Sequence, residues 1–410
     1  MKKILCILMC CAVLVACTDD KKYAPKEGRL TVFEAQITDK ADGTVKLDAA
    51  TNVSEWTHPQ YNAQNKIPAV TVNLGTSKMW RERISKAATG SRQLPPPVVV
   101  GENLYVLDGA YQLTKVDVKT GKNIWQNTLA DDATGAALVA HKDTLFAVSA
   151  EGFVTAMDLD GKQLWQKDLK VAMRSAPVAD KNALYLITTH NRFIALNQKD
   201  GNEIWAYQTS KPSTQLTQMA SPAKQNDILV VPFSTGEVIA FDADSGLILW
   251  IQMMVGNRPR DLVEIPQIAA APIIEKGVVY LSGHANLTGA YNLKTGETKW
   301  TTTLGSRHTP VLSGNTLFVL TNQNELYALD KTNGRVFWKQ EQKPIKDNVW
   351  QGLALFNEHV ALYDNEHIIT IDPETGNRIQ TYDVEMNTTP IVVDKHLVTI
   401  DAKTKVTWHE

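Results

Sequence analysis

The sequence predicts an all-β protein, an eight-bladed β-propeller of four-stranded antiparallel blades that an N-terminal strand closes. Three observations predict it: a motif that recurs through the chain, short apolar runs at fixed offsets from that motif, and a last repeat that is one strand short. Recurrence with a period of roughly 40 residues is typical of propellers and solenoids. Four antiparallel strands in each repeat favour the propeller.

The recurring motif is an aspartate or asparagine, a glycine four residues later, and a tryptophan four residues after the glycine. In the first repeat Asp117 precedes Gly121 and Trp125, and the second repeat is one residue shorter between its aspartate and its glycine. Gln380 takes the last tryptophan position, and consecutive positions lie 38 to 50 residues apart. The tryptophans expected to dock one blade on the next are Trp80, Trp125, Trp165, Trp205, Trp250, Trp300 and Trp338.

Each residue type of the motif has a structural role that fits a turn between two strands. The aspartate or asparagine accepts backbone N–H bonds, and the glycine takes a positive φ at little cost. The tryptophan buries a large ring between neighbouring blades. A tryptophan cage for a ligand is disfavoured, because the positions recur around the whole ring.

Short apolar runs predict the second strand of each blade, and a proline followed by β-branched residues, as in Pro97–Val100, predicts the strand before it. These runs are Asn103–Asp108, Thr144–Ser149, Ala183–Thr188, Ile228–Phe233, Val278–Gly283, Thr316–Thr321 and His359–Asp364. The last repeat, Thr388–Glu410, is long enough for three strands only. We expect Lys78–Ser85, which includes Trp80, to supply the fourth strand and so to cover an exposed sheet edge.

Composition excludes several classes of function. A formal net charge of −2 excludes a strongly basic nucleic-acid binder. The nine histidines are scattered, with no spacing typical of a metal site, and no nucleophile elbow, P-loop or dinucleotide fingerprint occurs. We therefore expect no catalytic residue, no metal and no cofactor.

The N-terminus is typical of an export signal. Met1-Lys2-Lys3 is positively charged, and Ile4–Ala16 is apolar but too short to span a membrane. The run ends in Leu14-Val15-Ala16-Cys17, which resembles the lipobox of bacterial lipoproteins; the alternative is an ordinary signal peptide with an incidental cysteine. The four cysteines all lie at or before Cys17, so we expect no disulfide in the exported chain.

The lipobox resemblance implies a signal peptide at 1–16, a lipidated N-terminal tether and loop at 17–73, and a propeller at 74–410. In lipoproteins of this kind the cysteine carries acyl chains, so Cys17 is the expected lipidation site. Thr18 follows the cysteine, and by the enterobacterial sorting rule this implies the outer membrane, facing the periplasm. Trp56, in the tail, is expected to pack against a folded body rather than to bind a ligand.

The repeat is similar to the tryptophan-docking motif of quinoprotein propellers, and two families share it. Quinoprotein alcohol dehydrogenases bind pyrroloquinoline quinone and calcium, and usually have a vicinal disulfide that this chain lacks. The BamB family comprises propeller lipoproteins of the outer-membrane β-barrel assembly machinery with no known chemistry of their own. The lipobox, the tail, the eight short repeats and the length resemble the BamB family more closely.

That resemblance implies a non-catalytic scaffold that docks on the periplasmic domain of the central barrel subunit. Unfolded outer-membrane proteins are further expected partners, and the lipid anchor implies contact with the membrane. In the family two inter-blade loops make the docking contact, and they match Ser213–Pro222 and Gly256–Pro272. The alternative is a periplasmic dehydrogenase dependent on pyrroloquinoline quinone.

Within those loops the match to the family's contact residues is incomplete. Leu216 falls on a contact leucine, whereas Thr217 replaces an arginine and Gln267 and Ala269 replace aspartates. Charged residues of the second loop are candidates to replace the lost polar contacts. The expected partner-binding residues are Leu216, Thr217, Arg258, Arg260, Asp261, Glu264 and Gln267.

Overall fold

The computed structural model describes residues 40–75, 77–85, 94–173, 175–211, 220–254, 268–284 and 286–410. Every regular element there is a β-strand, and thirty-two strands form eight four-stranded antiparallel sheets. In this part of the chain no helix is long and apolar enough to cross a membrane. The architecture confirms the predicted eight-bladed propeller.

Blades 1 to 4 each consist of four consecutive strands, A to D in chain order. Blade 1 contains β2 (Val98–Val100), β3 (Asn103–Leu107), β4 (Gln112–Asp117) and β5 (Asn123–Thr128). Blade 2 contains β6 (Gly135–His141), β7 (Thr144–Ser149), β8 (Phe153–Asp158) and β9 (Gln163–Asp168). Blade 3 contains β10 (Val178–Ala179), β11 (Ala183–Ile187), β12 (Arg192–Asn197) and β13 (Glu203–Gln208). Blade 4 contains β14 (Ala223–Gln225), β15 (Ile228–Pro232), β16 (Glu237–Asp242) and β17 (Ile248–Met253).

Blades 5 to 7 follow the same plan, and blade 8 combines the two ends of the ring. Blade 5 contains β18 (Ile273–Glu275), β19 (Val278–Gly283), β20 (Leu287–Asn292) and β21 (Thr298–Thr302). Blade 6 contains β22 (Val311–Ser313), β23 (Thr316–Leu320), β24 (Glu325–Asp330) and β25 (Val336–Glu341). Blade 7 contains β26 (Gly352–Phe356), β27 (His359–Tyr363), β28 (His367–Ile371) and β29 (Arg378–Asp383). Blade 8 contains β30 (Ile391–Val393), β31 (His396–Ile400), β32 (Lys405–His409) and, as its D strand, β1 (Lys78–Arg83).

The predicted second strands coincide with the B strands of blades 1 to 7. Each observed strand begins at the predicted residue and ends at the predicted residue or one before it. The predicted closure is also confirmed, because β1 pairs antiparallel with β32, Trp80 lying opposite Trp408. The two indoles stack with their centroids 5.8 Å apart.

Burial identifies the inner and outer strands. A strands such as β18 are buried along their length, whereas in D strands such as β17 most side chains are exposed. The A strands therefore line the centre of the ring, and the D strands form its rim. The apolar core lies between neighbouring blades. One cluster, for example, joins Ala223, Val238 and Trp250 of blade 4 to Ile274 and Val279 of blade 5.

The strand directions give the ring two distinct faces. Because successive strands of a blade run antiparallel, the A–B turns of all eight blades and the C–D turns of blades 1 to 7 lie at the same end of the blades. The B–C turns and the connections between blades lie at the other end. We call the first the turn face and the second the connection face.

Candidate functional site

At seven blade boundaries the motif tryptophan of one blade lies against the motif glycine of the next. A β-carbon on Gly246 would lie 2.6 Å from Cδ2 of Trp205, and the same glycine has φ of +73°. Both the contact and the backbone conformation therefore require glycine. The pairs are Trp80–Gly121, Trp125–Gly161, Trp165–Gly201, Trp205–Gly246, Trp250–Gly296, Trp300–Gly334 and Trp338–Gly376.

Most of these indoles also donate a hydrogen bond across the boundary. In six of the seven pairs Nε1 donates to the carbonyl of the residue that follows the motif aspartate or asparagine, at 2.7 to 3.0 Å. The aspartate itself orders the turn: Oδ1 of Asp117 accepts the N–H groups of Lys119 and Thr120 at 3.1 and 2.8 Å. The predicted turn chemistry is confirmed here.

Trp125 is the exception, and the shorter second repeat explains it. The turn that begins at Asp158 has one residue fewer, and Nε1 of Trp125 is buried without a hydrogen-bond partner. The carbonyl of Leu159 instead accepts Nζ of Lys115 at 2.9 Å and the hydroxyl of Tyr105 at 3.3 Å. One missing residue thus moves the carbonyl away from the indole.

The N-terminal residues 40–75, which we call the strap, run across the turn face and into the centre of the ring. Trp56 is 2% exposed and pairs by both backbone groups with Val99 on the A strand of blade 1. This confirms that Trp56 packs against the folded body. Further backbone bonds from the strap reach blades 2, 4, 5, 6, 7 and 8, at Ala140, Lys224, Ile274, Asn315, Leu355 and Lys395.

Sequence reasoning missed this role of the tail, since the segment has no periodic apolar pattern. The composition of the segment did contain a signal, because Trp56, Tyr61 and Ile67 lie among asparagines and glutamines. The large apolar side chains can pack on an apolar core, and the amide side chains can bond to buried backbone groups. The structure buries Trp56 and Ile67 in one cluster with blades 1, 7 and 8, and Tyr61 packs on it.

Asn65, in the strap, joins the roots of two neighbouring connections. Its Nδ2 donates to the carbonyl of Pro222 at 2.9 Å and to that of Pro272 at 3.1 Å. The residue is 4% exposed and has φ of +53°, a conformation that asparagine tolerates. Pro222 and Pro272 are the last residues of the two predicted partner loops, so one side chain holds both loop ends.

The predicted partner-binding residues themselves lie outside the described residues, as does Cys17. These are Leu216, Thr217, Arg258, Arg260, Asp261, Glu264 and Gln267. The described residues that flank the two loops are buried: Ala220, Met254 and Ile268 are each at most 3% exposed. One connection enters blade 4 before β14 and the other leaves it after β17, so their described flanks lie on the connection face. Ala269, where the family has an aspartate, is buried and offers no charge.

The strap also carries an ion cluster on the turn side of the central space. Glu275, 8% exposed, accepts Nζ of Lys66 at 2.6 Å and lies 2.5 Å from Nζ of Lys331. Burial raises the pKa of this carboxyl, but the two lysines outweigh burial and hold it below the ordinary value. The cluster joins the strap to blades 5 and 6.

Buried histidines lie in the strap at His58, just before β22 at His308 and on β32 of blade 8 at His409. Burial, and secondarily the nearby His141, lowers the pKa of His58 to about 4. His58 Nδ1 lies 2.9 Å from the hydroxyl of Thr57, and the Nε2 atoms of His58 and His141 are buried without a hydrogen-bond partner. Burial likewise lowers the pKa of His308 and of His409 to about 4.

The described residues do not fit the quinone and calcium that a dehydrogenase propeller would hold. No group of three or more histidine, cysteine, aspartate or glutamate side chains there could hold a metal ion. Glu275 already pairs with two lysines, and Trp56 and Asn65 of the strap are buried beside the A strands that line the centre of the ring.

Comparison with solved structures supports the fold. BamB of Moraxella catarrhalis superposes with a TM-score of 0.70 at 17% identity, over 82% of this chain and 99% of that one. The quinohemoprotein alcohol dehydrogenase of Comamonas testosteroni superposes with a TM-score of 0.66 at 11% identity, over 88% of this chain and 81% of that one. At these identities both likenesses show a common fold and nothing more.

Sequence comparison is more discriminating. Outer membrane protein assembly factor BamB of Yersinia pestis is 23% identical over 81% of this chain and 88% of its own length. The protein of the same name from Burkholderia pseudomallei is 24% identical over 67% of this chain and 71% of its own. The family model described as "Outer membrane protein assembly factor BamB" matches residues 38–140 and 120–340, well over half of the chain. The chain therefore belongs to the family of the outer membrane protein assembly factor BamB.

Proposed function

We propose that this protein is a non-catalytic scaffold lipoprotein in the assembly of outer-membrane β-barrel proteins. The family match over residues 38–140 and 120–340 carries the proposal. Lipidated Cys17 would anchor the propeller to the outer membrane on its periplasmic side. Anchoring in the membrane that holds the partner raises the partner's effective concentration without any new contact.

The proposed docking site consists of the two connections on either side of blade 4, and the partner is the central barrel subunit of the assembly machinery. Leu216 and Thr217 belong to the first connection, and Arg258, Arg260 and Asp261, with Glu264 and Gln267, belong to the second. The rigid roots support this assignment, because Asn65 fixes both loop ends against the ring. Loops on a rigid scaffold commonly carry recognition.

Affinity purification of the full-length protein from gently solubilised envelopes tests the proposal. Mass spectrometry should find the central barrel subunit in the eluate. A variant with Leu216→Ala, Arg260→Glu and Asp261→Lys should lose that subunit while the ring stays folded. Unchanged recovery would remove the two connections from the docking site.

The chain offers a matched control on the opposite face. Glu102 and Lys119 form an exposed ion pair between two turns of blade 1. Reversing both, with Glu102→Lys and Lys119→Glu, alters charge to the same extent on the turn face. This control should still recover the barrel subunit, and its loss would mean that charge anywhere on the surface matters.

The alternative function, a dehydrogenase dependent on pyrroloquinoline quinone, makes a separate prediction. Adding the quinone and calcium to the purified protein should then produce a stoichiometric absorbance change and a higher melting temperature. Under the scaffold proposal neither changes, because Glu275 and the strap leave no suitable ligand set among the described residues.

A further inference from the structure

The outer strand of blade 4 exposes an unusually apolar surface. On β17 the exposed fractions of Leu249, Ile251 and Met253 are 44%, 49% and 51%, and Ile248 is 42% exposed. Leu247, in the turn just before the strand, is 68% exposed. Leu249, Ile251 and Met253 alternate with Trp250 and Gln252, so they project from the same side of the strand.

The other blades serve as internal references, because the motif aligns their outer strands. In the other seven blades the position of Ile251 holds Arg, Gln, Ala, Thr or Lys, and that of Met253 holds Arg, Thr, Asp, Gln or Glu. Blade 6, for instance, has Lys339 and Glu341 there. Charges on an edge strand protect it from pairing with another chain, and β17 carries none.

The outer edge of β17 also offers backbone groups for pairing with another strand. β17 is the last strand of its sheet, and within the described ranges it pairs with β16 alone. Among the described residues no strand therefore pairs with the backbone N–H and C=O groups along its outer side, and a further strand could bond to them. A strand that adds there gains main-chain hydrogen bonds, and its alternate side chains select the sequence that binds.

We propose that β17 binds, by strand addition, an uncharged segment, apolar along one face, of an unfolded outer-membrane β-barrel protein. Strands of such proteins alternate apolar and polar residues, so an extended segment places one apolar face against Leu249, Ile251 and Met253. The absence of charge on β17 favours an uncharged segment. The identity of this partner rests on the proposed function in outer-membrane protein assembly.

Fluorescence anisotropy with the full-length protein in a mild detergent tests the proposal. The probe is a fluorescein-labelled peptide of alternating valine and threonine, about ten residues long like a membrane strand, with an uncharged glutamine at each end. Ile251→Lys with Met253→Glu, which copies the residues of blade 6, should weaken binding about tenfold or more. Ile251→Thr with Met253→Thr, which copies Thr301 and Thr303 of blade 5, should weaken it less and guards against a folding defect.

Two controls separate strand addition from simple apolar adhesion. The same peptide with N-methyl groups on alternate backbone nitrogens cannot pair and should bind about tenfold more weakly or worse. Thr381→Lys places a lysine and the native Asp383 at the matching positions of β29, and should leave binding unchanged.

Three results would overturn the proposal: full binding to the charged β17 variant, equal binding of the N-methylated peptide, or a dimer through β17 that excludes the peptide. Sedimentation velocity detects the dimer. The charged β17 variant should still recover the central barrel subunit from envelopes. Recovery of the barrel subunit by the Leu216, Arg260 and Asp261 variant tests only the docking connections, whereas peptide binding tests only β17. Failure of one proposal can therefore be told apart from failure of the other.

Discussion

Replacing Asn65 with aspartate tests whether the strap holds the two connections beside blade 4. The change preserves the size of the side chain and tolerates the left-handed backbone, but it removes both N–H donors. The carbonyls of Pro222 and Pro272, now bonded at 2.9 and 3.1 Å, would lose their partner and face a carboxylate. Each buried carbonyl left unsatisfied costs about 1–3 kcal/mol, so the total loss should be at least about 2 kcal/mol.

Urea unfolding followed by tryptophan fluorescence measures this loss. Asn62→Asp is the matched control, because Oδ1 of Asn62 accepts the N–H groups of Gln64 and Lys66, and a carboxylate still accepts them. A free energy of unfolding for Asn65→Asp equal to that of Asn62→Asp would refute the reasoning. If the strap positions the docking connections, Asn65→Asp should also reduce recovery of the barrel subunit.

Further predictions concern blade packing and pH. Gly246→Ala should lower the free energy of urea unfolding by about 2 kcal/mol or more, because a close contact with Trp205 adds to a left-handed backbone strain of about 1–2 kcal/mol. Gly101→Ala, at φ of +56° with nothing within 4 Å, should show the backbone strain alone, and equal losses of stability in the two variants would contradict the packing argument. Inserting one residue after Leu159 should bring a carbonyl acceptor back to Nε1 of Trp125 and raise the free energy of unfolding by about 1 kcal/mol. An unchanged free energy of unfolding would refute the explanation that the shorter turn leaves this N–H without a partner. The free energy of unfolding should fall as the pH falls from about 6.5 to about 4, because buried histidines bind protons near pH 6.5 in the unfolded chain but only near pH 4 in the folded chain. Each such histidine contributes on the order of 3 kcal/mol, and a urea midpoint that stays constant over this pH range would exclude the effect. The histidines concerned are His58, His308 and His409.

The ring could be predicted from the sequence because its units repeat. A turn motif marks the C–D hairpins of blades 1 to 7, with a tryptophan in all of them except blade 7, and the apolar runs beside it mark the buried B strands. The missing fourth strand of the last repeat also predicted closure by β1, because an uncovered sheet edge is a liability. Local patterns therefore carried most of the fold.

The strap could not be predicted in the same way. Its bonds to Val99, Lys224 and Lys395 join residues far apart in sequence, and its backbone makes single bridges rather than a ladder. Such contacts leave no periodic signal in the chain. Asn65 is the clearest example: its importance depends on two carbonyls more than 150 residues away.

The strap and the ring motif are linked at the boundary between blades 7 and 8. That boundary lacks the usual contact, because Gln380 is exposed where a tryptophan would lie. The strap crosses this boundary, where Val70 bonds to Leu355 and Asn73 bonds to Lys395. The one boundary without a tryptophan–glycine pair is thus fastened by the N-terminal segment, and closure of the ring depends on the strap as well as on β1.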